Sequence, residues 1–195
     1  MHGLINRAIQ RFACDTYGAE AWDIVAREAG LGFTDFEAMM IYDYAVTDAT
    51  LTELAAHLGR SRDGVLEDLG TYLVSHPNSA GLRRLLRFSG AGYEDFLHSL
   101  DELPDRARLT VPDLEMPRLE LCQTAEDRFT LNCISPTPGY GHVLVGILRA
   151  MADDYGALVT LAHQAPGQDM ETIDISLVVA SFAEGREFDL GARTG

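Results

Sequence analysis

Six histidines, three cysteines and fifteen arginines without a single lysine are the side chains here with the most to offer chemically. The absence of lysine excludes Schiff-base chemistry and a phosphate-loop lysine. There is no His-Glu-x-x-His, no Gly-x-Ser-x-Gly and no dinucleotide fingerprint, and carboxylates are so numerous that chance pairing on exposed helices accounts for them. The chain is therefore not expected to be an enzyme. Cys14, Cys122 and Cys133 form no Cys-x-x-Cys pair, so reduced thiols in the cytoplasm are the expectation. Cys122 and Cys133 are expected on neighbouring strands, within reach of a disulfide or a shared metal. Arg83, Arg84 and Arg87 make one basic cluster, suited to an acidic ligand or to pairing with nearby carboxylates. A net charge of −15 repels phosphate backbones and anionic bilayers, which argues against nucleic-acid and membrane partners.

Elements must position these groups. No stretch approaches the eighteen or so apolar residues of a membrane span, and 195 residues suffice for one domain with a full core. In GYEDFLHSLDELP, Phe96, Leu97, Leu100 and Leu103 recur at helical spacing, and Pro104 should end or kink that helix. Amphipathic helices are predicted over Leu4 to Cys14, about Gly18 to Ala29 with Trp22 as a core anchor, and Ser61 to Val74, where Gly70 is unfavourable. Between them come a helix or turn around Phe36 to Tyr42 and a helix capped by Asp48 or Thr50. Met39, Met40, Tyr42 and Tyr44 are read as core or cavity lining. After a short helix or turn in GLRRLLRFSGAG and the VPDLEMP loop, RLELCQT and DRFTLNCIS alternate as a β-hairpin. HVLVGILRAMADDYG reads as a helix closed by Gly156, and ALVTLAHQ and TIDISLVVA as two more strands. The fold class is α+β, with a helical lobe over about 1–62, an α/β lobe over about 63–182 carrying a roughly four-stranded antiparallel sheet, and a tail at 183–195.

FLHSLDELPDRARL resembles the proximal helix of the H-NOX (heme nitric oxide/oxygen binding) family, which includes the sensor domain of soluble guanylate cyclase. MHGLINRAIQRFACDTYGAEAWDIVAREAGL resembles its N-terminal helices, LNCISPTPGYGHVLVGILRAM its strand-to-helix segment, and TIDISLVVA a late strand. The resemblance spans nearly the whole chain. It implies a stand-alone bacterial sensory protein in signal transduction, reporting nitric oxide to a separate histidine kinase or cyclic-dinucleotide enzyme.

In that family a histidine on the proximal helix ligates heme iron and a Tyr-x-Ser-x-Arg motif grips the propionates. Here the histidine position falls on Pro104, and the motif reads Cys133, Ser135 and Thr137. Only the serine is kept. Neither cysteine nor threonine offers a carboxylate the paired donors of a guanidinium. His98 is the candidate substitute ligand, but it lies about 120° round the helix from 104, whereas Leu97 and Leu100 share the face of 104. The distal position falls on Val143, with His142 turned about 100° away. Some relatives hold zinc with cysteines and a histidine, of which only His163 has a counterpart here. The implied pocket is Ile5, Ile9, Leu97, Leu100, Leu103, Pro104, Cys133, Ser135, Thr137, Val143 and Ile147. Three readings stay open: a sensor that holds heme through a substitute ligand, a heme-free carrier or sensor of an apolar molecule such as a fatty-acyl chain, and a ligand-free interaction module with a packed interior.

Overall fold

The computed structural model describes residues 1–88, 91–165, 167 and 169–178. Four helices open the chain: α1 (Gly3–Tyr17), α2 (Ala19–Glu28), α3 (Tyr44–Leu58) and α4 (Arg62–Ser75). The α1 start is fixed by His2, whose Nδ1 accepts from the Leu4 N–H at 3.2 Å. Phe36 to Tyr42 forms no helix but straps across that start. Gly3 donates to the Met40 carbonyl at 2.7 Å and Tyr42 to that of Met1 at 2.9 Å. A Cβ on residue 3 would stand 2.0 Å from the Glu37 carbonyl oxygen, so only glycine admits this strap. Gln10 clamps the strap from below, donating to Asp35 at 2.8 Å and accepting from the Phe36 N–H at 3.0 Å. Trp22 is buried as expected, and its Nε1 donates to the Thr34 carbonyl at 2.7 Å. Met39 and Met40 instead face solvent, and Tyr42 packs on Phe36.

The cap of α3 is Asp43, accepting from the Ala45 N–H at 2.9 Å, rather than Asp48 or Thr50. The helix starts well before its Leu51, Leu54, Ala55 and Leu58 stripe, with Tyr44, Ala45 and Val46 in the first turn, and Asp48 pairs with Arg62 at 2.7 Å instead. Ser61 caps α4. Val65, Leu66, Leu69 and Tyr72 of α4 join α1 to α3 in one core, while Val74 belongs to a second core on the sheet.

Next come α5 (Ala80–Arg87), α6 (Tyr93–His98), a 3-10 turn at Leu100–Glu102 and α7 (Leu103–Thr110). The predicted stripe of Phe96, Leu97, Leu100 and Leu103 is buried throughout. The break, however, precedes Pro104, which sits in the first turn of α7. There its missing N–H would have had no intrahelical partner, so proline starts the helix instead of stopping one. Asp101 then accepts from the Leu121 N–H at 2.7 Å, pinning this turn to the sheet edge.

The hairpin β1 (Arg118–Ala125) and β2 (Arg128–Ile134), helix α8 (Tyr140–Tyr155), and strands β3 (Val159–Gln164) and β4 (Met170–Leu177) complete the fold. The sheet is antiparallel in the order β1-β2-β4-β3. Gly156 closes α8 in the left-handed conformation. Leu119, Leu131, Phe129, Ile173 and Ile175 form the inner face of the sheet. The predicted tail at 183–195, the end of the TIDISLVVA strand and the turn at Pro166 lie outside the described residues.

α4 and α8 cross at a pair of glycines. A Cβ on Gly70 would meet the Val143 carbonyl oxygen at 2.0 Å, and one on Gly146 the Glu67 carbonyl oxygen at 2.0 Å. The glycine that weakens α4 by propensity thus lets two backbones touch. No helix among the described residues is long and apolar enough to cross a membrane.

Candidate ligand cavity and its walls

Helices from both cores and the edge strand surround a cavity of about 260 Å³. α1 supplies Leu4, Ile5 and Ala8; α4 Leu69 and Leu73; α5 Leu82, Leu85 and Leu86; α7 Leu103 and Ala107. Leu114, Met116, Pro117, Leu119, Tyr140, Val143, Leu144 and Ile147 close the remainder. The wall is almost entirely hydrocarbon. Leu82, Leu85 and Leu86 carry the i, i+3, i+4 spacing of a buried helix face, a signal overshadowed in the sequence by the intervening arginines.

Of the residues the sequence nominates, Ile5, Leu103, Val143 and Ile147 line this cavity. Ile9 lies in the N-terminal core, and Leu97 and Leu100 pack in the sheet core. Pro104 is buried, but α7 presents Leu103 and Ala107 to the cavity. His98 is exposed, its ring edge against Phe129 at 5.7 Å. Cys133 is buried on the inner sheet face opposite Glu171, and burial together with that carboxylate pushes its thiol up to about 12. Ser135 and Thr137 line an adjoining pocket of about 300 Å³ with Met1, His2, Tyr44 and Glu115. Met116 and Tyr140 belong to both spaces.

Cys122 is exposed and pairs with Thr130, while Cys133 pairs with Leu119. The odd offset of three residues sends the two thiols to opposite faces, so the expected approach does not occur. Arg83 and Arg87 both pair with Asp154, Arg87 at 3.1 Å and also 4.8 Å above the Tyr155 ring. Two of the three cluster arginines are thus consumed within the fold, while Arg84 donates to the Ala80 carbonyl of its own helix at 3.3 Å. By contrast Arg7 and Arg11, one turn apart on α1, are only loosely engaged: Arg7 donates to the Phe36 carbonyl at 2.8 Å, and Arg11 acts at longer range on Asp15, one turn further on, whose carboxyl is held below its ordinary value chiefly by Tyr72 and in smaller part by Arg11. They border a cleft of about 360 Å³ that shares Leu4, Ala8, Leu73 and Leu82 with the cavity.

A heme-iron site needs an axial nitrogen, sulfur or phenolate donor. No histidine or cysteine lines the cavity. Burial pushes the Tyr140 hydroxyl up to about 12, so it stays protonated at neutral pH, and it faces the Met1 sulfur at 3.9 Å. In the cavity the thioether of Met116 is the one other donor atom; in the adjoining pocket His2 is held at the start of α1, its Nδ1 taken by the Leu4 N–H. Neither the cavity nor the adjoining pocket contains an arginine, and the latter contains Glu115, which repels propionates. These residues do not fit a histidine-ligated, arginine-clamped heme.

A helical layer laid against an α/β lobe, with an apolar cavity where the two cores meet, places the chain among α+β domains built around an internal pocket. The haem-NO-binding family model matches residues 2–163. The chain belongs to that family. It is 24% identical over 169 residues to soluble guanylate cyclase 89Db of Drosophila melanogaster, a match covering 87% of this chain and 25% of that protein. A match to soluble guanylate cyclase gcy-32 of Caenorhabditis elegans is also 24% identical and covers 78% of this chain and 23% of that one. The chain thus spans about a quarter of the length of these relatives. The Fe(II) unliganded H-NOX protein of K. algicida superposes with a TM-score of 0.76 at 16% identity, covering 91% of this chain and 96% of that one. An H-NOX protein from S. oneidensis in the Fe(II)NO ligation state gives 0.75 at 14% identity, covering 91% and 99%. The H-NOX fold is therefore shared.

Proposed function

We propose that this protein is a bacterial, cytoplasmic H-NOX-type sensory module whose cavity receives an apolar small molecule in place of an iron-ligated heme. The observation that carries this reading is the cavity wall: eighteen residues with no imidazole or thiol among them. An acyl chain suits such a wall, because each methylene transferred from water contributes about 0.8 kcal/mol. Alone the cavity is smaller than the roughly 300–1,000 Å³ of ordinary ligand sites, but joined to the cleft beside it the space falls within that range. Arg7 and Arg11 at the cleft suit a carboxylate head on the same ligand. Occupancy would bias the packing of α1 and α8 against each other, a change that a separate signalling enzyme, such as a histidine kinase or cyclic-dinucleotide enzyme, reads from outside.

The test is an absorption spectrum of the protein expressed with added heme precursor, beside native mass spectrometry of the same sample. Wild type is expected to show no Soret band and to carry an extractable apolar mass. Pro104→His and Leu103→His, the latter placing imidazole on the cavity wall, ask whether the space admits heme once a ligand is supplied. A stoichiometric Soret band in the wild type would overturn the proposal. No bound mass and no uptake of a fluorescent fatty acid would favour the packed interaction module.

A further inference from the structure

Three spaces follow one another along α1. The residues just before the helix, Met1 and His2, border the pocket of about 300 Å³; Leu4, Ile5 and Ala8 border the cavity; Arg7 and Arg11 border the cleft. Cleft and cavity share Leu4, Ala8, Leu73 and Leu82, and cavity and pocket share Met116 and Tyr140. At the helical rise of about 1.5 Å per residue, His2 stands about 7–14 Å along the axis from the two arginines. Between two polar ends lies a hydrocarbon middle.

Chemistry divides the two ends. Arg7 and Arg11 make the cleft cationic, whereas the pocket holds one carboxylate, Glu115, which makes no hydrogen bond and no ion pair among the described residues. Glu115 is close enough to add to burial and Cys133 in pushing the Tyr140 hydroxyl up. The Met1 ammonium is taken by the Tyr42 carbonyl at 2.7 Å. His2 is 4% exposed, and because its Nδ1 accepts from the Leu4 N–H, the ring is neutral with its proton on Nε2. Helix capping accounts for Nδ1 but leaves the Nε2 donor without a hydrogen-bond partner among the described residues. Ser135 accepts from the Thr137 N–H at 3.1 Å and Tyr44 from Arg62 at 3.4 Å, and both hydroxyls keep a proton to donate.

These donors and acceptors select what can end a chain that passes through the cavity. A methyl end entering the pocket strips water from Glu115 and His2 and returns no hydrogen bond, a net cost. A second carboxylate meets Glu115 as a like charge. An ammonium satisfies Glu115 but offers the His2 Nε2–H no acceptor. A hydroxyl does both, donating to Glu115 and accepting from His2. We propose, on the reading of the cavity as an apolar-ligand site, that its ligand is an ω-hydroxy fatty acid lying along α1, with its carboxylate at Arg7 and Arg11, its methylenes in the cavity and its terminal hydroxyl between His2 and Glu115. The unlike charges of the two ends fix its direction, because reversal sets the carboxylate beside Glu115. The far end also supplies a selectivity that a hydrocarbon wall lacks, since such a wall separates methyl-ended chains by size alone, whereas polar groups left unpaired reject a chain without the hydroxyl.

The experiment uses the full chain, freed of bound apolar molecules, and measures displacement of a fluorescent fatty acid by dodecanoic, ω-hydroxydodecanoic, ω-aminododecanoic and dodecanedioic acids. ω-Hydroxydodecanoic acid is expected to bind about fivefold more tightly than dodecanoic acid, the worth of about one net hydrogen bond, and dodecanedioic acid more weakly than either. Glu115→Gln, a change at an exposed position, should narrow the preference for the hydroxy acid and raise the dioic acid relative to dodecanoic acid. Equal affinity for dodecanoic and ω-hydroxydodecanoic acids would overturn the ω-hydroxy assignment while the apolar-ligand reading still stands, and so would tighter binding of the amino or the dioic acid. Binding of none of the four would overturn both.

Discussion

Gly146→Ala probes the contact on which the two lobes depend. The added Cβ would lie 2.0 Å from the Glu67 carbonyl oxygen and 2.8 Å from the Thr71 nitrogen, both backbone atoms that no rotamer change can move. Relief requires α4 and α8 to separate by more than an ångström, which disturbs the packing of Leu69, Val143 and Ile147 on either side. Overpacking of this kind costs about 3 kcal/mol at the upper end of its usual range. Alanine returns about 1 kcal/mol through helix propensity. The net expectation is a loss of about 2 kcal/mol, or a fall of about 4–8 °C in unfolding temperature for a domain of this size. Gly81→Ala is the matched control, since Gly81 lies in α5 with nothing within 4 Å of where its new methyl would stand. It should stabilise by up to about 1 kcal/mol. Thermal unfolding by circular dichroism reads both. Gly146→Ala equal to or more stable than wild type would refute the close-contact reasoning.

Three further outcomes follow from the same geometry. Iodoacetamide should label exposed Cys122 first and half-buried Cys14 slowly, while Cys133, whose thiol is pushed up to about 12, should react only on unfolding, as peptide mapping of the alkylated protein would show. Tyr72 donates to Asp15 at 2.6 Å, and this bond, with that from Asn78, holds the Asp15 carboxyl below its ordinary value. A folded pKa below the unfolded one adds stability that is present above the ordinary carboxylate range and lost as pH falls through the folded value. Tyr72→Phe should therefore cost about 1.5 kcal/mol at neutral pH, a difference that chemical denaturation should show shrinking on acidification. Tyr72 itself is pushed up to about 12, mainly by burial, so its contribution should fade as pH rises from about 10 to about 12. Finally, Arg11→Gln should weaken a fatty acid by about fivefold, equivalent to about 1 kcal/mol, and leave the corresponding fatty alcohol unchanged in a fluorescence displacement assay. Equal losses for both would remove Arg11 from the head-group role while leaving the apolar cavity reading intact.

Much of the fold is legible in local signals, because those signals are produced by local physics. Periodicity finds the stripe from Phe96 to Leu103, alternation finds the hairpin, and Gly156 and Ser61 mark helix ends where a left-handed residue and a hydroxyl cap are needed. What fails is set by contacts distant in sequence. The strap from Phe36 to Tyr42 owes its shape to Gln10, Gly3 and Trp22. Gly70 looks like a weakness in α4 until Gly146 is placed against it. The two cysteines look like neighbours until register assigns them opposite faces.

The candidate site is legible where a helix carries its apolar face unchanged into the cavity, as at Ile5, Val143 and Ile147, and at Leu103. Pro104 shows why the rest is not. A proline within an apolar helical pattern reads as a stop, and the residues before it then read as one continuous face. Because the chain instead breaks at Ser99 and restarts at Leu103, the phase of the helix is reset. Leu97 and Leu100 turn to the sheet, and Leu103 and Ala107 turn to the cavity. The same reset voids the 120° offset that separates His98 from position 104, which holds only along a continuous helix; His98 stays away from the cavity because it is exposed beside Phe129. Replacing one residue at position 104 is therefore a different experiment from replacing one at 103: the first alters a helix start, the second the surface a ligand meets. If only Leu103→His acquires a Soret band, the cavity is intact and its wall is where α7 places it; if only Pro104→His does, α7 turns a different face to the cavity and this phase is wrong.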